Sequence, residues 1–290
     1  MAEVLRTRAS TMSLNRLLRR LMISSITLIL VLALGMSLVL YLAQDRLIFF
    51  PQPAPPSPPR APDCVISEVK VITADGLSLR GWLAKPSSAT GRLPLAVYFG
   101  GNAEETSHMA ASTGNFPGWS LLTVNYRGYG GNPGQPSERA LFADALAVHD
   151  FAARRPDVDP THIVAIGRSL GSGVAVYLAS ERPLAGVVLI TPYDSLRAVA
   201  QRYYPYAPVS VLLKHSFDSI GRAPDIAVPM LMMAAQFDDV IPIPHARALF
   251  SKWGGPKTWQ ELAGAGHNDL DADPTYWSSM ALFLARRTAS

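Results

Sequence analysis

The first strong pattern in the chain is an unbroken apolar one. From Leu21 to Ala43, 23 residues pass without a charge, interrupted only by Ser24, Ser25, Thr27, Gly35 and Ser37. At about 1.5 Å per residue this makes roughly 34 Å of helix, enough to cross a hydrocarbon layer of about 30 Å. A helix satisfies its own backbone in lipid, so the run predicts a membrane span. A soluble helix would keep a polar face. The competing reading is a cleavable signal peptide, with an apolar stretch of about 7–15 residues and a small-x-small cleavage site. Here the run is longer, and Tyr41-Leu42-Ala43 puts Tyr where a small residue belongs. The expectation is a retained anchor over residues 21–43.

The pattern then changes twice. Residues 44–63 read as a spacer, because positions 51–62 hold seven prolines in twelve and favour a stiff, extended chain. Residues 64–290 form a domain-sized block without repeats. Val69–Ile72 and Leu77–Leu83 flank Ala74-Asp75-Gly76, a hairpin signal. Further short apolar runs follow at Leu95–Phe99, Leu121–Val124, Ile163–Ile166, Val187–Ile190, Met230–Met233 and Thr258–Leu262. Amphipathic stretches separate them. In Glu138–Arg154, Leu141, Ala145, Val148 and Ala152 recur at helical spacing, with Asp144 among the charged residues off that stripe. Continuous apolar strands alternating with helices predict an α/β fold, a mostly parallel sheet with helices on both faces. The aromatic and apolar stretch at about 192–227 reads as a small cap.

Charge sharpens the picture at one end only. The net charge is +4. Residues 1–20 hold Arg6, Arg8, Arg16, Arg19 and Arg20 against Glu3, while the other 270 residues carry 21 basic and 21 acidic side chains. The excess therefore sits on an N-terminal arm ahead of the apolar run. By the positive-inside rule this predicts a cytoplasmic N-terminus, with the rest of the chain on the far side. A neutral body disfavours nucleic acid as a partner. The single cysteine, Cys64, forms no internal disulfide and has no partner for a Cys-based metal site. No cofactor or metal is implied.

In such sheets the chemistry lies at the carboxyl ends of the strands. Val164-Ala165-Ile166 runs into Gly167-Arg168-Ser169-Leu170-Gly171, a G-x-S-x-G sequence in the context of strand, turn and helix. Ser169 is the candidate nucleophile. A serine hydroxyl needs a base and the base an orienting acid. His267 follows the last strand on a glycine-rich loop, and Asp238 follows the Met230–Met233 strand. Asp239 and Asp194 are the alternative acids. The remaining histidines, His108, His149, His162, His215 and His245, read as surface or structural. Two backbone donors are needed for a developing oxyanion, each contributing about 3–4 kcal/mol. Leu170 N–H, after the nucleophile, is one candidate. Asn102 N–H, in Gly100-Gly101-Asn102-Ala103 after the Leu95–Phe99 strand, is the other.

Together, Tyr98-Phe99-Gly100-Gly101-Asn102-Ala103-Glu104, Asn125-Tyr126-Arg127-Gly128-Tyr129-Gly130, Gly167–Gly171, Asp238-Asp239-Val240-Ile241-Pro242 and Gly266-His267-Asn268-Asp269 resemble the membrane-anchored alpha/beta hydrolases. That group is related to the serine aminopeptidase and prolyl oligopeptidase clan. Gln44–Pro51 resembles it too, so the likeness spans about 21–290. It implies the alpha/beta-hydrolase fold and hydrolysis of an ester, thioester or amide. It favours Asp238, since the family aspartate precedes an x-Val-Ile-Pro segment. Many members begin the oxyanion loop with His-Gly, where this chain has Gly100. The expectation is a serine hydrolase acting on a small acyl substrate, with a lipid-like one suggested by the anchor. A peptidase for small peptides and a non-catalytic binding protein are the alternatives.

Overall fold

The computed structural model describes residues 2–55 and 57–288, and of residues 2–17 the backbone only. The side chains of Arg6, Arg8 and Arg16 and the placement of Pro56 lie outside the described residues. The chain divides into two compact units, residues 1–44 and 45–290.

The first unit is one helix, α1 (Ala2–Ile48), whose last four residues belong to the second unit. Its Leu18–Ile48 portion is long and apolar enough to cross a membrane, and no residue of its most apolar 18-residue stretch is buried.

The second unit is built on one eight-stranded sheet. Its strands are β1 (Cys64–Ile72), β2 (Ser78–Pro86), β3 (Leu93–Phe99), β4 (Ser120–Val124), β5 (Val158–Arg168), β6 (Gly186–Ile190), β7 (Met230–Ala235) and β8 (Lys257–Leu262). Every short apolar run named above within residues 64–290 falls on a strand. The spatial order is β1-β2-β4-β3-β5-β6-β7-β8. β1 and β2 form the expected antiparallel hairpin, β2 pairs antiparallel with β4, and the remaining pairs are parallel.

Helices complete the unit: α2 (Ser107–Ala111), α3 (Glu138–Ala153), α4 (Leu170–Glu181), α5 (Leu196–Tyr203), α6 (Val209–Leu212), α7 (Ser219–Arg222), α8 (Ile243–Lys252) and α9 (Pro274–Thr288). The period-two alternation of the strands sorts the core into two layers. Leu95, Val97 and Phe99 of β3 pack with Leu141, Ala145 and Val148 of α3, Val174 and Leu178 of α4, and Leu249 of α8. Ala96 and Tyr98 pack on the other side with Tyr276, Met280 and Leu284 of α9. Strands covered on both faces need no polar alternation, which is why the sequence shows them as plain apolar runs.

Two details depart from the sequence reading. The composition assigns residues 44–63 to a spacer, yet residues 45–55 belong to the second unit, with Phe49 buried in its core. An apolar side chain leaves water where a cleft accepts it, and the prolines that follow do not prevent this. Asp144, assigned to the polar side of α3, is buried instead. It is held there by Arg127, whose Nη2 and Nε donate to its two oxygens at 2.6 and 2.8 Å. Burial raises the Asp144 pKa, with the guanidinium opposing the shift.

Candidate active site

The G-x-S-x-G segment is a turn between β5 and α4 that only small residues permit. A Cβ on Gly167 would lie 2.3 Å from the Gly171 carbonyl oxygen, and one on Gly171 would lie 2.1 Å from the Phe99 oxygen. Both are far inside contact distance, so the end of β3, the turn and the helix pack at glycine spacing. Ser169 itself sits at φ 51°, ψ −117°. Such a conformation costs on the order of 1–3 kcal/mol and is held by its surroundings. Here its N–H donates to the Ile190 carbonyl at 2.9 Å.

Three side chains meet at the strand ends. The Ser169 Oγ lies 3.0 Å from His267 Nε2. His267 Nδ1 lies 2.8 and 3.0 Å from the two oxygens of Asp238. Asp238 Oδ1 also accepts from the N–H groups of Val240 and Ile241 at 3.0 and 2.6 Å. The Asp238 side chain is 2% exposed and that of His267 7%. A carboxylate on Nδ1 fixes the ring proton there and leaves Nε2 as an acceptor facing the hydroxyl. This arrangement can take a proton from a serine as it attacks.

The alternative acids lie elsewhere. Asp239 is exposed, and its carbonyl accepts from the Tyr203 hydroxyl at 2.7 Å. Asp194 is paired with another histidine, His245, at 2.9 Å. His215 is also structural, with Nε2 against Asp45 Oδ1 at 2.9 Å.

The two candidate oxyanion donors flank Ser169. Leu170 is the first residue of α4, where an N–H has no intrahelical partner. The loop after β3 comes close on the other side, since a Cβ on Gly101 would lie 3.7 Å from the Ser169 Cβ. Gly101 N–H is already taken by Glu104 Oε2 at 2.7 Å. Asn102 N–H makes no hydrogen bond among the described residues.

Glu104 and Arg168 are the residues the sequence reading passed over. The Glu104 carboxylate is buried and accepts three donors: the Tyr98 hydroxyl at 2.6 Å, Gly101 N–H, and Arg168 Nη1 at 3.1 Å. Arg168 Nη2 reaches on to the His267 carbonyl at 3.3 Å and Asn268 Oδ1 at 3.0 Å. One ion pair thus ties together the loop after β3, the serine turn and the histidine loop. Burial works against the Arg168 charge, but Glu104 outweighs it and raises the guanidinium pKa. Burial pushes the Tyr98 phenol far above its usual range, and the neighbouring carboxylate adds to this, so Tyr98 stays a neutral donor. No local pattern pairs Arg168 with Glu104, since they lie 64 residues apart.

The stretch expected as a cap, α5 to α7 and its loops, divides its apolar residues. Tyr193 and Val209 are core, whereas Tyr203, Tyr204, Tyr206 and Val211 are exposed, as are Phe237 and Val240 either side of Asp238 and Asp239. Among the described residues, no group of three His, Cys, Asp or Glu side chains is placed to hold a metal ion.

Comparison with known proteins supplies the context. No family model matches the chain. The uncharacterized protein Rv2307c of Mycobacterium tuberculosis is 37% identical over 246 residues, covering 84% of this chain and 87% of that one. The alpha/beta hydrolase domain-containing protein WAV2 of Arabidopsis thaliana is 24% identical over 271 residues, covering 84% and 88%. Among solved structures, an acetyl xylan esterase from Paenibacillus sp. R4 superposes with a TM-score of 0.63 at 22% identity, covering 77% of this chain and 84% of that one. The sheet order, the serine on its strand–turn–helix and this superposition agree: the chain has the alpha/beta-hydrolase fold.

Proposed function

We propose that this hydrolase is a membrane-anchored serine enzyme of the aminopeptidase-related group, cleaving an ester, thioester or amide of a lipid-like acyl substrate. The observation that carries the reading is His267 Nε2 at 3.0 Å from the Ser169 hydroxyl, with Asp238 on the opposite ring nitrogen. Ser169 Oγ attacks the acyl carbonyl while its proton passes to His267. Asp238 stabilises the imidazolium that forms. The N–H groups of Leu170 and Asn102 receive the oxyanion. Collapse breaks the bond to the leaving group, which takes the proton from His267. A water, deprotonated by His267, then releases the acyl group from Ser169. Exposed Phe237 and Val240 close to Asp238, and exposed Tyr203, whose hydroxyl donates to the Asp239 and Val240 carbonyls, support an apolar acyl chain, because apolar surface beside a site favours apolar ligands.

A fluorophosphonate probe should form one adduct, on the tryptic peptide carrying Ser169, and long-chain p-nitrophenyl esters should compete better than short-chain ones. An adduct elsewhere, or none, refutes the serine assignment. Better competition by short chains removes the lipid-like substrate.

The anchor and its direction belong to the same proposal. The apolar helix and the arginines ahead of it support a cytoplasmic N-terminus with the hydrolase domain across the membrane. After an alkaline carbonate wash the full-length chain should stay in the pellet, and external protease should reach the domain on spheroplasts or intact cells. Release of the protein, or protection of the domain, overturns this part.

A further inference from the structure

The segment that joins the apolar helix to the hydrolase domain is fastened beside Ser169. Phe49 is buried in the domain core, edge-on to His215 at 5.3 Å between ring centres. His215 Nδ1 accepts from Glu138 N–H at 3.4 Å, which leaves Nε2 to donate to Asp45 at 2.9 Å. Glu138 in turn accepts from the N–H groups of Ser216 and Phe217, fixing the His215 backbone. Gln52 accepts from Gly130 N–H at 2.8 Å. Between these fixings, the segment hydrogen-bonds to the loop after β3 at Asn102. Phe50 N–H donates to the Asn102 carbonyl at 3.0 Å, and the Asn102 side-chain amide faces the Ile48 carbonyl at 3.4 Å.

These contacts fall on a particular peptide plane. The plane between Gly100 and Gly101 is held at both ends: its oxygen accepts from Tyr126 at 2.9 Å and its N–H donates to Glu104. The plane after Asn102 is held by its oxygen, which accepts from both the Tyr129 hydroxyl at 2.7 Å and Phe50 N–H. The plane carrying Asn102 N–H lies between the two. It is oriented by its neighbours while its own donor stays unspent. Oxyanion stabilisation depends on donors fixed before the charge develops, because a donor that must reorient gives back part of its effect.

We infer that residues 45–52 act as a positioning strap for the oxyanion loop, with the Phe50 N–H and the Tyr129 hydroxyl as positioning groups for Asn102. This rests on the serine-hydrolase reading above. The strap stabilises the transition state through Asn102 and touches no substrate. Its loss therefore lowers kcat and spares KM.

The experiment uses the full-length chain in detergent micelles. Phe50→Pro removes the N–H, and Phe50→Ala, which keeps it, is the reference. Tyr129→Phe removes the second donor to the same oxygen. Turnover of a p-nitrophenyl ester is measured with the thermal midpoint and the pH profile of kcat/KM. Relative to Phe50→Ala, Phe50→Pro is expected to lower kcat about tenfold, a fraction of the roughly 10²–10³-fold effect of deleting an oxyanion donor. Tyr129→Phe is expected to lower kcat several-fold against wild type. In both, KM should stay within twofold and the pH profile should keep its shape, since His267 and Asp238 are untouched. Unchanged kcat in both variants, with the Ser169 adduct intact, overturns the strap and leaves the hydrolase. A wild-type chain with neither adduct nor turnover overturns both. Should Phe50→Pro fail to fold, Tyr129→Phe decides alone, because it deletes a single hydroxyl.

Discussion

Asp238→Asn is expected to lower acyl-ester turnover about 10⁴-fold while the fold and Ser169 stay in place. The size of the effect follows from which oxygen the backbone holds. Asp238 Oδ1 accepts from Val240 and Ile241 N–H, so an asparagine must put its carbonyl oxygen there. Its amide nitrogen then occupies the Oδ2 position, 2.8 Å from His267 Nδ1. A donor at that point makes Nδ1 the acceptor and moves the ring proton to Nε2. The imidazole would then face Ser169 with a proton it has no room to exchange. Fluorophosphonate labelling should slow in parallel with kcat, and the near-ultraviolet circular dichroism should match wild type. Asp239→Asn is the control, since Asp239 is exposed. Equal losses in the two variants would falsify Asp238 as the orienting acid.

Glu104→Ala should cost about 3–5 kcal/mol of stability, the range found when one partner of a buried ion pair is removed. The substitution strands Arg168 and leaves Gly101 N–H and the Tyr98 hydroxyl unsatisfied together. For a unit of this size the loss corresponds to roughly 10 °C in the thermal midpoint. Glu104→Gln should lose less. Its oxygen can face Gly101 and Arg168, and its amide can donate to Tyr98, whose hydroxyl is free to reverse direction. Thermal melts of the two variants in the same detergent separate these outcomes. A Gln variant as unstable as the Ala variant would mean that charge, and not hydrogen-bond geometry, holds the three loops.

The parts legible in the sequence were those set by short-range pattern. Val187–Ile190 and Met230–Met233 are apolar on both sides, so they could only be covered strands, and they are. Ser169, Asp238 and His267 each stand just past a strand, and strand ends converge at one edge of a parallel sheet. Their meeting is therefore a consequence of the topology. What escaped were pairings between distant positions. Arg168 and Glu104 lie 64 residues apart, and Asp45 and His215 170 apart. No periodicity relates such residues, and each alone reads as an ordinary surface charge. The proline-rich composition of 51–62 hid the opposite fact, that the chain just before it is tied to the domain. Asp144 misled for a similar reason, because its partner Arg127 comes from the loop after β4 and not from its own helix.

The burial of Phe49 also decides where the domain may be cut. The strands start at Cys64, and a soluble fragment begun there would look complete on a diagram of the sheet. It would lack the ring that closes the cleft beside His215, a burial worth about 1.5–3 kcal/mol. Such a fragment would carry an open apolar slot on its surface and tend to self-associate. The shortest chain that keeps its own lining begins at Asp45, in the last turn of the apolar helix. Solubility and integrity thus meet within a few residues, and a fragment library spaced wider than that would miss the junction.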